Sequence, residues 1–490
     1  MSKLNQKIFS GVFWNLVQLI IQRSLSFVVK LILARLLFPE DFGIVGMAAV
    51  FISFIKVLND VGIGAALIQK KEKDLNELHY YTAFWTGVVW SIILYLLIAF
   101  LIAPLASTFY GSPILEEIIP ILSIGILSSP INLIHKAQLT KSMNFKRIAI
   151  ITNSSNVFSG LLSVGLAFAG VGVWALVFNS VASFLVAIPM YFHATGWWPK
   201  FKWGKQEFKD IFGFGMYTTG TNLFNNIISQ LDYLVIGKML SASILGVYTL
   251  AFLLTDTFKS QLMNVMNKVM YPVYGQLQDN KNSIKEYYLK VVLYNSVLIY
   301  PIMVIMLILG KPIIAQFFGD KWMDAVIPLQ ILSVSVMFSL MVNSHTSLIR
   351  GMGKPEVEMR IQFFRAIFLY IPSIIAGTYY YGMIGTAAAV LFNKIAAVFV
   401  AQWILKKMVN ISLNELFSAL KAPILATIIS AGTGYFLYNY LILHYLFVGL
   451  MIVITYFAII YLLMKEDIHF LYNKLVVLKR KRKSNKKLVS

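Results

Sequence analysis

The sequence contains no cysteine. That absence excludes disulfides, thiolate metal sites and cysteine nucleophiles together. Histidine is scarce, with six residues scattered over 490, which argues against a histidine-built metal centre. Charge is thin as well: Asp, Glu, Lys and Arg make up 13% of the chain, against about 25% in soluble domains. A water-soluble enzyme of this length is not expected. No Asp-x-Asp metal motif occurs anywhere. The longest loops expected outside the membrane, near 104–117 and 310–324, hold no histidine. A membrane polysaccharide polymerase or ligase would need acid/base residues there.

What remains is apolar and basic. Hydrophobic residues make up 58%, and Lys+Arg outnumber Asp+Glu by 42 to 21, a net charge of +21. A membrane helix needs about 20 mostly apolar residues. Fourteen stretches meet that need: 10–33, 42–68, 80–103, 118–139, 148–169, 172–193, 211–237, 244–273, 287–309, 325–349, 360–380, 383–405, 416–438 and 443–464. Long period-two alternation is missing, so a β-barrel is not supported. The N-terminal run lacks a short apolar core with a small-residue cleavage site and reads as an uncleaved first span.

The cations sort by topology. With the N-terminus placed in the cytoplasm, 28 of the 42 fall in inside segments and four (Arg35, Lys238, Lys311 and Lys321) in outside loops. That asymmetry predicts fourteen spans with both ends cytoplasmic. The tail run Lys479-Arg480-Lys481-Arg482-Lys483 follows a final span and has no interleaved aromatics. It reads as a topology anchor touching anionic lipid headgroups, with no nucleic-acid role.

Shifted by 203 residues, the chain partly overlays itself. Ala34-Arg35-Leu36-Leu37 meets Gly237-Lys238-Met239-Leu240, Gly43 meets Gly246, and Lys56 meets Lys259. Later His135 resembles His345, and Ala175-Leu176-Val177-Phe178-Asn179 resembles Ala389-Val390-Leu391-Phe392-Asn393, with the offset drifting to 210 and 214. Six helices per repeat make the copies parallel, an arrangement of transporters with the site at the repeat interface. The expected organisation is an N-lobe at 1–195, an inside linker at 196–210, a C-lobe at 211–407, two more helices at 408–465 and a basic tail at 466–490.

Ten cations fall within spans. Lys136, Lys290 and Lys421 lie near inner helix ends and can snorkel. Arg23, Lys56, Lys259 and Lys394 lie near mid-span, where each charge costs about 2.5–3.5 kcal/mol on insertion scales. Such groups should face a polar cavity or a partner. Lys56 with Asp60 (i,i+4) and Asp256 with Lys259 (i,i+3) can pair on one helix face. Asp232 has no partner in its own helix. Gln18, Gln22, Ser26 and Lys30 form a polar stripe at four-residue steps, with Arg23 beside it. Asn222, Asn225, Asn226, Ser229 and Tyr233 repeat the pattern in the second copy, and Asn153 and Asn156 add amides. A cavity lined by amides and excess cations suits an anionic, hydroxyl-rich substrate: phosphate for Lys and Arg, sugars for Asn, Gln, Ser and Tyr. The candidate cavity residues are therefore Gln22, Arg23, Lys30, Lys56, Asn222, Asn225, Lys259 and Lys394.

Several motifs carry a resemblance. Leu33-Ala34-Arg35-Leu36-Leu37-Phe38-Pro39-Glu40-Asp41-Phe42-Gly43 is followed by Asn59-Asp60-Val61-Gly62-Ile63-Gly64 and Ala66-Leu67-Ile68-Gln69. Gly172-Val173-Trp174-Ala175-Leu176-Val177 and Arg350-Gly351-Met352-Gly353-Lys354-Pro355 come later. Over roughly residues 8–465 the chain resembles the bacterial polysaccharide transporter family of Wzx-type flippases, in particular its colanic-acid and teichuronic-acid exporter branch. That family shares a superfamily with MATE drug exporters and the lipid II flippase. The resemblance implies an all-α membrane protein with two six-helix lobes around a central cavity plus two C-terminal helices. It implies export of undecaprenyl-pyrophosphate-linked oligosaccharide by alternating access, no catalytic residue and no bound cofactor. Polysaccharide polymerase or glycosyltransferases are the implied neighbours. Asp60, Asp232 and Asp256 are candidates for ion pairing or for coupling to a H⁺ or Na⁺ gradient. A lipid II-type flippase or a MATE-like exporter is the alternative; a MATE-like exporter of cations would need acids where this chain has bases.

Overall fold

The computed structural model of the chain describes residues 3–59, 63–70, 74–212 and 216–466. Asp60 and the side chains of Asn222 and Asn225 lie outside the described set. The described residues are almost entirely helical and include no strand, in keeping with the apolar runs and the missing alternation. Among the described residues, ten helices are long and apolar enough to cross a membrane, and the pair Leu413–Ala419 and Lys421–Asn439, bent by 57°, makes an eleventh if it is counted as one span.

Eleven falls short of the fourteen expected spans. Helix Glu356–Val409 counts once at 54 residues. At 1.5 Å per residue it would be about 80 Å long, far more than the ~30 Å of a bilayer core. It breaks at Gly382, whose φ of 58° and ψ of −142° are non-helical, a conformation costly for any residue with a Cβ. Helices Met216–Met239 and Ala242–Gln276 are not among the ten; they carry the amide face and the Asp256, Lys259 and Lys268 charges read from the sequence. Elsewhere the expected spans are subdivided. The span at 118–139 becomes Leu115–Leu127 and Ser129–Lys141, with Pro130 in the first turn of the second helix, where its missing N–H costs nothing.

The chain forms two compact units. The first comprises Met1–Thr249, Phe317–Trp322 and Ile374–Met383; the second comprises Leu250–Gln316, Met323–Ser373 and Ile384–Ser490. Spatial compactness and the sequence repeat thus divide the chain at different places. In the first unit, Val29, Leu33, Leu37, Ala167 and Ala175 form one core, and Ile63, Leu67, Phe84, Ile134 and Trp197 another. In the second unit the cores are built around buried tyrosines. Tyr288 donates to Met341 O at 3.2 Å and Tyr300 to Met337 O at 3.2 Å, which satisfies their hydroxyls away from water.

One crossing inside the first unit follows the repeat. A Cβ on Gly43 would lie 1.7 Å from Ala242 O, and a Cβ on Gly246 would lie 1.7 Å from Pro39 O. The 203-residue shift carries Pro39 to Ala242 and Gly43 to Gly246. The two helix starts therefore cross backbone to backbone, each through its own glycine. The flanking contacts are reciprocal too. The Arg35 guanidinium lies against Gly319, and Lys238 donates to Phe109 O. Lys238 is the 203-residue counterpart of Arg35, and Gly319 the 210-residue counterpart of Phe109.

The segment at 196–210 is strapped to helix Glu77–Leu97. Trp85 Nε1 donates to Lys200 O at 2.8 Å, Trp203 Nε1 to Thr86 Oγ1 at 3.1 Å and Gly204 N to Thr82 Oγ1 at 3.0 Å. Lys70 closes the strap on Asp210 at 2.5 Å and holds that carboxyl below its ordinary range, chiefly by this hydrogen bond.

Candidate functional site

Helix Lys3–Leu36 carries Gln22, Ser26 and Lys30 on one face, because side chains four residues apart stack along a helix. That face borders a cavity of about 370 Å³ in the first unit. Its other walls come from five more helices, among them Pro39–Asn59, which supplies Phe42, Val45, Gly46 and Ala49. Phe145–Phe168 supplies Asn156, Trp174–Thr195 supplies Asn179 and Ser180, Met216–Met239 supplies Tyr233, and Ala242–Gln276 supplies Thr249. Gly160 lets helix Phe145–Phe168 close on helix Lys3–Leu36: a Cβ there would lie 2.7 Å from Val29 Cγ2.

The polar wall is partly organised and partly open. Asn179 Nδ2 donates to Ser159 O at 3.4 Å, and Ser183 Oγ donates to Asn156 Oδ1 at 3.3 Å. The Nδ2 of Asn156 has no acceptor among the described residues. Lys30 is exposed and, among the described residues, is the one charged residue lining the cavity, with no carboxylate beside it. Phe42, Leu176 and Val29 supply apolar wall. Amides, hydroxyls, one cation and apolar patches together suit a hydroxyl-rich ring with at most a few negative charges.

The expected site residues divide. Gln22 and Lys30 line the cavity. Arg23 and Lys56 belong to the same unit and are exposed, but neither lines it. Lys259 and Lys394 belong to the second unit. Lys259 pairs with Asp256 at 2.6 Å, the local partner that the i,i+3 spacing offered. Asp232 is 2% exposed and finds its partner one helix on: Tyr248 donates to Oδ2 at 2.7 Å, and the backbone N of Tyr233 to Oδ1 at 3.0 Å. Asn226, from the second polar stripe, accepts from Ser53 Oγ at 2.9 Å. Asn179, Ser180 and Thr249 were not singled out for the cavity from sequence. Asn179 stood out only as a repeat match, and its approach to Ser159 across two helices leaves no mark in helical spacing. No cluster of His, Asp and Glu suited to a metal occurs among the described residues.

Comparison with known proteins adds identity to this geometry. Residues 32–327, more than half of the chain, match the family described as polysaccharide biosynthesis protein. The chain is 24% identical over 412 residues to the lipopolysaccharide biosynthesis protein WzxC of Escherichia coli strain K12, covering 83% of this chain and 82% of that one. It is 23% identical over 430 residues to the teichuronic acid biosynthesis protein TuaB of Bacillus subtilis strain 168, covering 87% and 88%. Among solved structures it is similar to the lipid II flippase MurJ in an inward closed conformation, with a TM-score of 0.72 at 14% identity, covering 93% of this chain and all of that one. That last likeness is one of fold.

Proposed function

The chain belongs to the polysaccharide biosynthesis protein family, and from that premise we propose that it is a flippase for lipid-linked oligosaccharide. The substrate is an undecaprenyl-pyrophosphate-linked repeat unit, moved from the inner to the outer leaflet of the cytoplasmic membrane for surface polysaccharide. The observation that carries this reading is the cavity: a partly polar chamber that, among the described residues, has one lysine and no carboxylate, inside a unit built of membrane-length helices. Polar faces within membrane helices are expensive unless they line water or a substrate path. A drug exporter of the MATE kind takes cations, and a lysine-lined chamber opposes them. The lipid II flippase remains the second reading, on the shared fold.

The rest of the organisation follows from this. Fourteen spans are supported once helix Glu356–Val409 is read as two around Gly382, the bent pair as one, and the polar helices Met216–Met239 and Ala242–Gln276 as spans. Two parallel six-helix lobes are supported by the reciprocal crossing at Gly43 and Gly246. The positive-inside bias places both ends in the cytoplasm. Transport proceeds by alternating access, driven by a H⁺ or Na⁺ gradient through an acid such as Asp232 or Asp256, with polysaccharide polymerase and glycosyltransferases as neighbours.

The test is leaflet crossing. Purified full-length protein goes into liposomes carrying a short-chain polyprenyl-pyrophosphate disaccharide on the inside leaflet. Appearance of the sugar on the outside, measured by an added lectin or glycosidase, should be protein-dependent. No protein-dependent crossing in an intact, folded preparation would sink the reading.

A further inference from the structure

Resting on the flippase reading, we infer that the cavity of the first unit is the subsite for one carboxylated sugar of the glycan, and not the seat of the pyrophosphate. Charge count carries the argument. A pyrophosphate diester brings two negative charges, which proteins meet with several cations or a bidentate arginine. Among the described residues the cavity wall offers one ammonium, Lys30. Arg23 is seven residues away on the same helix, about two turns or ~10 Å along the axis, and does not line the cavity. One ammonium matches one carboxylate.

The remaining wall fits the rest of a sugar acid. Gln22, Asn179, Ser180 and Thr249 supply donors and acceptors for ring hydroxyls, and the Nδ2 of Asn156 has a hydrogen bond still to make. Phe42 and Leu176 suit the apolar face of a pyranose. At about 370 Å³ the cavity lies near the small end of the roughly 300–1,000 Å³ range of ligand sites. It holds part of an oligosaccharide, not a whole repeat unit with its lipid carrier. A neutral sugar at the same place would cover the ammonium without pairing it, and leaving a buried charge unpaired is what makes such sites selective. Lys30 is therefore a specificity-determining residue: it selects acidic over neutral glycans.

Two short-chain polyprenyl-pyrophosphate disaccharides test this, identical except for a terminal glucuronate or a terminal glucose. Their binding to the full chain in nanodiscs is measured by competition. The wild type should prefer the glucuronate probe by about tenfold or more, the scale of one charge-assisted hydrogen bond. In Lys30→Gln the ratio of the two affinities should collapse toward one, and Lys30→Arg should restore it. Equal affinities in the wild type, or an unchanged ratio in Lys30→Gln, would overturn the assignment. Both probes share the pyrophosphate, so the ratio reports the sugar alone and is insensitive to a general loss of folded protein. Preference with no leaflet crossing of either probe would overturn the flippase reading and leave the subsite standing.

Discussion

Asn179 and Asn393 occupy matched places in the two copies of the repeat, and each reaches back to a serine 20 residues earlier. Asn179 donates to Ser159 O at 3.4 Å, is only half-buried and opens onto the cavity. Asn393 donates to Ser373 Oγ at 2.6 Å and to Ala389 O at 2.8 Å, and is 1% exposed. The matched amide thus opens onto a cavity in one copy and is buried in packing in the other. His135 and His345 show no such split: both are buried, one bonded to Thr195 and the other to Val342 O.

The hardest blow to that picture falls where the copies still agree. Valine at Gly43 or at Gly246 would push a side chain into a backbone oxygen 1.7 Å from its Cβ. Each should cost about 3 kcal/mol or more, seen as lost folded protein or a lower Tm. Near-equal losses are expected; a benign change on one side would break the symmetry of the crossing.

The comparison of amides is sharpened by Asn393→Ala against Asn179→Ala. The first removes a buried, doubly bonded donor and should cost about 1–3 kcal/mol in denaturation. The second should cost less stability and weaken glycan binding instead. The opposite ranking would erase the division of labour. Gly170 (φ 76°) and Gly382 (φ 58°) lie between the paired helices of each copy. Alanine at either should cost about 1–2 kcal/mol, readable by thermal unfolding.

Smaller effects concern charge. Lys259→Gln alone should impair export more than Asp256→Asn with Lys259→Gln, because the single change leaves a carboxylate without its partner. Surface glycan in a deletion strain is the readout. Asp210→Asn should loosen the strap, raising hydrogen exchange in helix Lys205–Phe212. Lys70 lowers the Asp210 carboxyl from its ordinary 3.8. The strap's ionic contribution is therefore full above that pH and lost only as pH falls through the lowered value. Protection factors in that helix, which discount the intrinsic pH dependence of amide exchange, should fall only as pH drops through that lowered range.

Much of this was legible beforehand because it is local. Apolar runs marked helices, the i,i+3 spacing marked Asp256 and Lys259, and the four-residue steps put Gln22 and Lys30 on one face. What spacing cannot express is the meeting of different helices. Asp232 finds Tyr248 across a turn, Asn179 finds Ser159 across a hairpin, and Arg23 and Lys56 miss the cavity although they share its unit.

The glycine crossing has a final consequence. Pro39 meets Gly246 while Ala242 meets Gly43, so residue i touches j′ and residue i′ touches j. Contacts of that form are isologous, the hallmark of a twofold homodimer. The crossing is thus what two half-length chains would make on associating face to face, here carried in cis by one polypeptide. A half-chain cut from either copy brings its own complementary surface, and co-expressed halves have a self-matching seam along which to reassemble.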